Sequence, residues 1–148
     1  MGFRLISLVP GLALLAVSAR SMADVSSRPV VVELFTSQAC SSCPPADVLL
    51  TDLARRRNDV LPLSFHVTYW NNLGWRDPFS FPAATERQRA YAAKVGEESV
   101  YTPQMVVDGT QSFVGSDRNE AEAAIRRARS VQITPVPLHL GRRLWGQA

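Results

Sequence analysis

The apolar residues of this chain change spacing along the sequence, and the order of the patterns predicts a mixed α/β fold. Val30 to Phe35 is a short run rich in β-branched residues, which is typical of a buried strand. From Pro44 to Arg57 the apolar residues take helical spacing, and arginines close the last turn. Val60 to Val67 predicts a second strand, with Pro62 near its start or at a sheet edge. Because one helix joins these two strands, we expect them to be parallel.

The middle of the chain predicts a long loop followed by another helix. Residues Tyr69 to Pro82 are rich in aromatic residues, glycine and proline, which is typical of a loop. Ala83 to Val95 has the composition of a helix, and Gly96 is a suitable residue for its end. We expect the buried residues of this helix to include Ala90, Tyr91 and Ala93.

The last part of the domain predicts a hairpin and a final helix. Gln104 to Val107 and Thr110 to Val114 read as two antiparallel strands, because Asp108-Gly109 between them is a strong hairpin signal. Asp117 and Glu120 have the spacing of a capping box, so a helix is expected to follow and to run to about residue 129. No internal repeat is visible.

The two ends of the chain differ from the domain that is expected over residues 28–130. Residues 1–23 resemble a secretory signal peptide, with Arg4, an apolar stretch and a small-x-small cleavage site at Ser21-Met22-Ala23. We therefore expect an exported protein, periplasmic or secreted, without stable membrane insertion after cleavage; an uncleaved anchor is the alternative. The tail, residues 131–148, is strand-like and is either a loose extension or the start of a truncated β-rich region.

The net charge argues against a nucleic-acid partner. The chain carries +3, but cleavage would remove two of the 16 basic residues, Arg4 and Arg20, and leave 14 against 13 acidic residues. The arginine runs Arg55–Arg57 and Arg126-Arg127 fall near predicted helix ends, where cations complement the helix dipole. The nearly neutral mature chain therefore gives no electrostatic case for a nucleic-acid partner.

The two cysteines, Cys40 and Cys43, stand in the segment TSQACSSCPPAD and allow three kinds of site. As a staple they would be inefficient, because closing a four-residue loop stabilises by only about 2 kcal/mol. A structural zinc site needs four ligands, and this chain offers one CxxC half and two distant histidines, so no resident metal or other cofactor is expected. Cu(I) could still bind two thiolates, with His66 as a third ligand.

The third kind of site, thiol–disulfide exchange, fits the position of the pair best. Cys40 and Cys43 lie between a buried strand and the start of a helix, where backbone N–H groups and the helix dipole stabilise a thiolate. No basic residue lies between them, so this stabilisation must come from the helix and from hydrogen bonds, including those of Ser41 and Ser42. We expect Cys40, nearer the loop, to attack and Cys43 to resolve the mixed disulfide.

A Thr-Pro pair before the third strand favours the same interpretation. In a thioredoxin-like fold, a cis-proline at the place of Pro103 faces the cysteine pair and leaves the backbone of Thr102 free to pair with a substrate peptide. Together with the element order and the CxxC position, this predicts a thioredoxin-like α/β fold. Its central mixed four-stranded sheet is flanked by helices, and an extra helix lies between strands 2 and 3.

Four segments resemble the secreted bacterial domain-of-unknown-function 1223 family: VVELFTSQACSSCPPAD, SFHVTYWNNLGWRDPF, TERQRAYA and VYTPQMVVDG. The resemblance covers about residues 30–130. It implies a thioredoxin-like exported protein with a thiol site at Cys40 and Cys43 opposite Pro103. From the cysteine pair and the predicted export, we expect exchange with protein thiols and disulfides of the cell envelope. The resemblance supplies no substrate. The sequence departs from the expected pattern at Ala39, where glycine is expected, and at Thr68, where an acid is expected; a missing acid would slow or retune exchange.

Four further residues are auxiliary candidates. His66 could donate a proton, bind copper or be a hydrogen-bonded core histidine. Trp70 and Trp75 could line a groove for a peptide or pack the long loop, and the groove would also serve a redox-inert scaffold that binds a partner. Glu33, in an apolar strand, is either a proton relay for Cys43 or a carboxylate exposed at a sheet edge. Asp77, Glu86 and Arg87 are read as a turn and solvated helix ends.

Overall fold

The computed structural model describes residues 28–131, so the predicted leader and most of the tail lie outside the described residues. Seven elements follow one another in the predicted order. They are β1 (Val30–Thr36), α1 (Pro44–Arg56), β2 (Val60–His66), α2 (Pro82–Val95), β3 (Gln104–Val107), β4 (Gln111–Val114) and α3 (Arg118–Ser130). None of the helices within residues 28–131 is long and apolar enough to cross a membrane.

The four strands form one mixed sheet in the order β2-β1-β3-β4. Strands β1 and β2 are parallel, with Thr36 opposite His66, as expected for two strands joined by a helix. Strand β3 is antiparallel to both β1 and β4. The helix expected between strands 2 and 3 is α2. This architecture is thioredoxin-like, as predicted, and it makes β1 an inner strand and β2, with Pro62, an edge strand.

The main core lies between one face of the sheet and helices α1 and α3. Helix α1 buries the apolar face that its spacing predicts, and two prolines occupy its first turn, where missing N–H groups cost little. Helix α3 is capped as predicted, because the Asp117 carboxylate accepts a hydrogen bond from the Glu120 N–H at 3.0 Å. The buried side chains of these two helices are Ala46, Leu49, Leu50, Leu53, Ala121, Ala124, Ile125 and Ala128.

Helix α2 covers the opposite face, and the prediction of its buried residues is wrong in part. Ala90 and Ala93 are exposed and Tyr91 is only half-buried. The buried residues are Ala84, Thr85, Gln88 and Ala92. The spacing of apolar residues failed here because two buried positions are polar side chains that have hydrogen-bond partners. Gly96 ends the helix in the left-handed region, as predicted, with φ 76°.

The hairpin between β3 and β4 forms at the predicted place. Asp108 and Gly109 both have positive φ, 47° and 66°, which is the backbone of a type I′ turn. The Asp108 carboxylate also accepts a hydrogen bond from the Val31 N–H at 2.9 Å and pairs with Arg28 at 2.7 Å. The turn residue therefore also ties the hairpin to the start of β1.

Candidate thiol–disulfide site

The two cysteines form a disulfide at the start of α1. Cys40 and Cys43 are joined with their Cα atoms 5.4 Å apart. The turn between them is closed by a hydrogen bond from the Cys43 N–H to the Cys40 carbonyl at 3.2 Å. Both residues are buried, Cys40 with 2% and Cys43 with 0% of its surface exposed, while Ser41 and Ser42 are exposed.

The helix start supplies fewer N–H donors to the sulfurs than the sequence predicts. The Cys43 N–H is already bonded to the Cys40 carbonyl, and Pro44 and Pro45 have no N–H group. Side-chain hydroxyls lie at the sulfur instead. The Ser42 hydroxyl is 3.5 Å from the Cys40 Sγ, and the Thr102 hydroxyl donates to the same sulfur at 3.3 Å. Stabilisation of a Cys40 thiolate therefore depends on these hydroxyls and on the helix dipole.

Thr102 and Pro103 lie beside the disulfide, and the bond between them is cis. The Ser42 hydroxyl is 3.5 Å from the Thr102 carbonyl oxygen, so the CxxC turn and this segment are in contact. Gly115 supports the segment from behind, because its N–H donates to the Pro103 carbonyl at 2.9 Å. A methyl group on Gly115 would lie 2.7 Å from the Leu34 Cδ1 and 3.2 Å from the Pro103 Cβ, so any larger residue would require these neighbours to shift.

The two candidate tryptophans differ in their surroundings. The Trp70 indole N–H donates to the Thr102 hydroxyl oxygen at 2.8 Å, so Trp70 belongs to the disulfide site. The Trp75 indole N–H donates to the side-chain carbonyl of Gln38 at 3.2 Å, but 56% of this residue is exposed. Trp75 therefore lies on the surface beside the loop that leads to Cys40.

His66 forms a hydrogen-bonded pair with Asp77. The His66 Nδ1 and the Asp77 Oδ2 are 2.6 Å apart, and the histidine ring packs against Phe79 with ring centroids 5.6 Å apart. This arrangement agrees with a hydrogen-bonded histidine. Within residues 28–131, no three His, Cys, Asp or Glu side chains are grouped so that they could hold a metal ion.

Asp77 is a buried centre of hydrogen bonds, which corrects its interpretation as a simple turn residue. Besides His66, it accepts hydrogen bonds from the Gln38 N–H at 2.9 Å and from the Phe79 N–H at 2.9 Å. Burial disfavours its charge, but these hydrogen bonds outweigh burial, so the pKa of Asp77 is lowered. The bond to Gln38 fixes the loop that leads into Cys40. The Asp-Pro-Phe sequence could indicate the local turn, but not the contacts across the fold.

We predict that Asp77→Asn makes the free energy of unfolding depend less on pH in the acid range. Since the folded pKa of Asp77 is lowered, its carboxylate stabilises the fold above the ordinary value of 3.8, and this stability is lost as pH falls through the folded pKa. The variant should be destabilised by about 1–3 kcal/mol at neutral pH, and by less at about pH 3. Urea unfolding at both pH values measures this. The exposed control Glu86→Gln should keep the wild-type pH dependence, and an equal deficit for Asp77→Asn at both pH values would contradict the prediction.

Glu33 is not exposed at a sheet edge, so that expectation is wrong. It lies on the inner strand β1 with 3% of its surface exposed. Its carboxylate accepts two hydrogen bonds from Arg87, both at 2.6 Å, and one from the Tyr91 hydroxyl at 3.0 Å. These partners are on α2, and α1, which begins after Cys43, packs on the other face. The contacts give no support to a proton relay between Glu33 and Cys43, and they show that Arg87 is not merely a solvated helix residue.

Thr68, where the sequence departs from the expected acid, forms its own hydrogen bonds. Its N–H donates to the Thr85 hydroxyl at 2.9 Å, and the two hydroxyl oxygens are 3.0 Å apart. This pair connects the end of β2 to the first turn of α2.

Comparison with known proteins identifies the family. The family model described as "Protein of unknown function (DUF1223)" matches residues 31–143. The chain belongs to this family. The resemblance carried by the four sequence segments is therefore confirmed, and the family description assigns no activity. The comparison with curated proteins gives no match.

A solved structure of similar fold is the X-ray crystal structure of protein AGR_C_4864 from Agrobacterium tumefaciens, a structural genomics target. It has 44% sequence identity to this DUF1223 chain and a TM-score of 0.60. The similarity covers 67% of this chain and 43% of the other, so this chain spans less than half the length of that relative.

Proposed function

We propose that this DUF1223 protein exchanges disulfides with protein thiols of the cell envelope through Cys40 and Cys43. The observation that supports the proposal most is that two hydroxyls from separate parts of the chain lie against one sulfur. The Ser42 and Thr102 oxygens are 3.5 and 3.3 Å from the Cys40 Sγ. A bridge that only stapled the turn would not need donors that stabilise a thiolate. The location in the envelope rests on the predicted leader at residues 1–23.

The exchange would proceed in two steps. A substrate thiolate attacks the Cys40 sulfur, the Cys40–Cys43 bond breaks, and Cys43 leaves as a thiolate. The second substrate thiolate then attacks the substrate sulfur of the mixed disulfide and releases the Cys40 thiolate. Two electrons pass from the substrate dithiol to the pair, and the two protons of the substrate thiols end on the cysteines or in solvent. In the reverse direction, Cys40 attacks a substrate disulfide and Cys43 resolves the intermediate. Thr102 and Pro103 would border the bound peptide.

The burial of both cysteines favours a second candidate, a thioredoxin-like scaffold with an inert disulfide. Attack on Cys40 needs access to a residue with 2% of its surface exposed. In this case the exposed Trp75 and its loop would bind a partner, and the double variant Cys40→Ser/Cys43→Ser would bind it equally well. The copper alternative would use the two thiolates, and of the His66 ring only Nε2 could add a third ligand, since Nδ1 is engaged by Asp77. It predicts Cu(I) binding that Cys40→Ser abolishes.

The reduction potential of the Cys40–Cys43 pair tests the proposal. The purified protein is equilibrated in glutathione buffers, and its thiols are counted by alkylation and mass. We expect a potential between about −120 and −270 mV, the range of working oxidoreductases. The double variant Cys40→Ser/Cys43→Ser should take up no label and controls for alkylation of residues other than cysteine. A potential below about −300 mV would mark a structural bridge and would favour the scaffold.

A further inference from the structure

We infer that Trp70 is a positioning residue that turns the Thr102 hydroxyl into a donor for the Cys40 thiolate. The inference deepens the proposed exchange function and rests on it. It rests on three groups that are hydrogen-bonded in series. The Trp70 Nε1 lies 2.8 Å from the Thr102 Oγ1, and this oxygen lies 3.3 Å from the Cys40 Sγ.

The chemistry of the three groups decides which of them donates each hydrogen bond. An indole nitrogen can only donate, whereas a hydroxyl has one proton and two lone pairs. Because Trp70 donates to the Thr102 oxygen, the indole occupies one of the two lone pairs and leaves the hydroxyl proton free for the sulfur. Hydrogen bonds in series also polarise one another, so the indole strengthens the bond from Thr102 to a thiolate.

A second contact holds the same segment in place. The Gln88 side-chain amide donates to the Tyr101 carbonyl oxygen at 2.6 Å, and its carbonyl oxygen accepts from the Tyr69 hydroxyl at 3.2 Å. Gln88 is fully buried on α2. Two consecutive residues after β2, Tyr69 and Trp70, therefore hold two consecutive residues before β3. The link from Tyr69 through Gln88 fixes the backbone. The Trp70 indole orients the Thr102 hydroxyl, which also has a side-chain hydrogen bond with Tyr69.

The functional consequence concerns the fraction of reduced Cys40 that is present as the thiolate. In the reduced protein the charged sulfur accepts from the Thr102 hydroxyl, and a hydrogen bond to a charged group is stronger than one to a neutral group. Trp70 thus favours the thiolate without touching the sulfur. The Ser42 hydroxyl also lies 3.5 Å from the Cys40 Sγ, but its single proton is shared with the Thr102 carbonyl oxygen, to which it donates at 3.5 Å.

The pH profile of Cys40 alkylation by iodoacetamide tests the inference. All proteins carry Cys43→Ser, so that Cys40 alone reacts, and are reduced with a phosphine before use. Trp70→Phe should lower the rate at about pH 6 by roughly three- to tenfold and shift the profile to higher pH. Thr102→Val should lower the rate about tenfold or more, and Thr102→Ser, which keeps the hydroxyl, should restore it. The matched control Trp75→Phe should leave the profile unchanged.

The variant that combines Trp70→Phe with Thr102→Val distinguishes positioning of the Thr102 hydroxyl by Trp70 from a general loss of packing at the site. Because Trp70 acts through Thr102, Trp70→Phe should have little further effect in a Thr102→Val background. Equal effects in both backgrounds, or no effect of Trp70→Phe alone, would overturn the inference. If Trp70→Phe does not fold, benzothienylalanine at position 70 keeps the ring shape without the N–H and should give the same shift. The profile is measured on reduced protein, so it is independent of the potential that tests the proposed function.

Discussion

A Cys43→Ser variant should accumulate as a mixed disulfide with a small disulfide reagent, whereas Cys40→Ser should remain unmodified. Cys40 is the sulfur that contacts the Ser42 and Thr102 hydroxyls, and it precedes the helix. Both cysteines are buried, Cys40 with 2% and Cys43 with 0% of its surface exposed, and Cys43 is the last residue before α1. Complete disulfide exchange, in which a substrate disulfide is formed or reduced, should fall to background in both variants. Each variant lacks one of the two sulfurs that this reaction needs.

Oxidised glutathione is a suitable probe, and intact-protein mass is the measurement. The expected product of Cys43→Ser is the protein with one glutathione attached, which a dithiol reductant then removes. The double variant Cys40→Ser/Cys43→Ser controls for binding that is not covalent. If Cys40→Ser were modified as readily as Cys43→Ser, the assignment of Cys40 as the attacking thiol would be wrong.

The sequence predicts most of the fold because its signals are local. A β-branched run, a proline pair at a helix start and the Asp108-Gly109 turn each specify their own few residues, and the structure has those elements within about one residue of the expected bounds. The position of the CxxC pair follows directly from the junction of a strand and a helix. Its neighbour Thr102 was identified from the order of elements.

What the sequence does not predict depends on side chains that are far apart along the chain. Asp77 and Gln88 are polar and buried because each finds several hydrogen-bond partners on other elements. A pattern of apolar positions treats both as surface residues. The role inferred for Trp70 has the same origin, since its indole meets a hydroxyl 32 positions later in the chain.

Glu33 is the residue whose prediction fails most clearly, and it leads to the second large effect. Replacing Arg87 by methionine should destabilise the protein by about 3 kcal/mol, because it leaves a buried carboxylate without its ion pair. The value is at the low end for a buried pair, since 47% of the Arg87 side chain is exposed and water can partly replace it. The Arg87 guanidinium also lies over the rings of Phe65 and Tyr91, 5.5 and 5.3 Å from their centroids, and this packing is retained in part by methionine.

The pair Glu33–Arg87 is measured best by a double-mutant cycle in urea. Glu33→Leu/Arg87→Met should be much less destabilised than the sum of the single variants, because no unpaired charge remains. Arg89→Met, on the exposed side of the same helix, is the matched control and should change the stability by less than about 0.5 kcal/mol. Additive single effects would show that the two side chains are not coupled.

A further variant, Glu33→Gln, decides whether Glu33 takes part in the redox chemistry. Glu33 faces α2 and is bound there by Arg87 and Tyr91, whereas the hydroxyls at the Cys40 sulfur are those of Ser42 and Thr102. Glu33→Gln should therefore lower stability and leave the reduction potential and the exchange rate of the cysteine pair as they are in the wild type. A relay to Cys43 requires the opposite result, a changed pH dependence of the exchange rate in a variant that is still folded. The expected separation of the two effects assigns Glu33 and Arg87 to the stability of the fold. It leaves Thr102 and Ser42 as the groups at the sulfur, with Trp70 acting through Thr102.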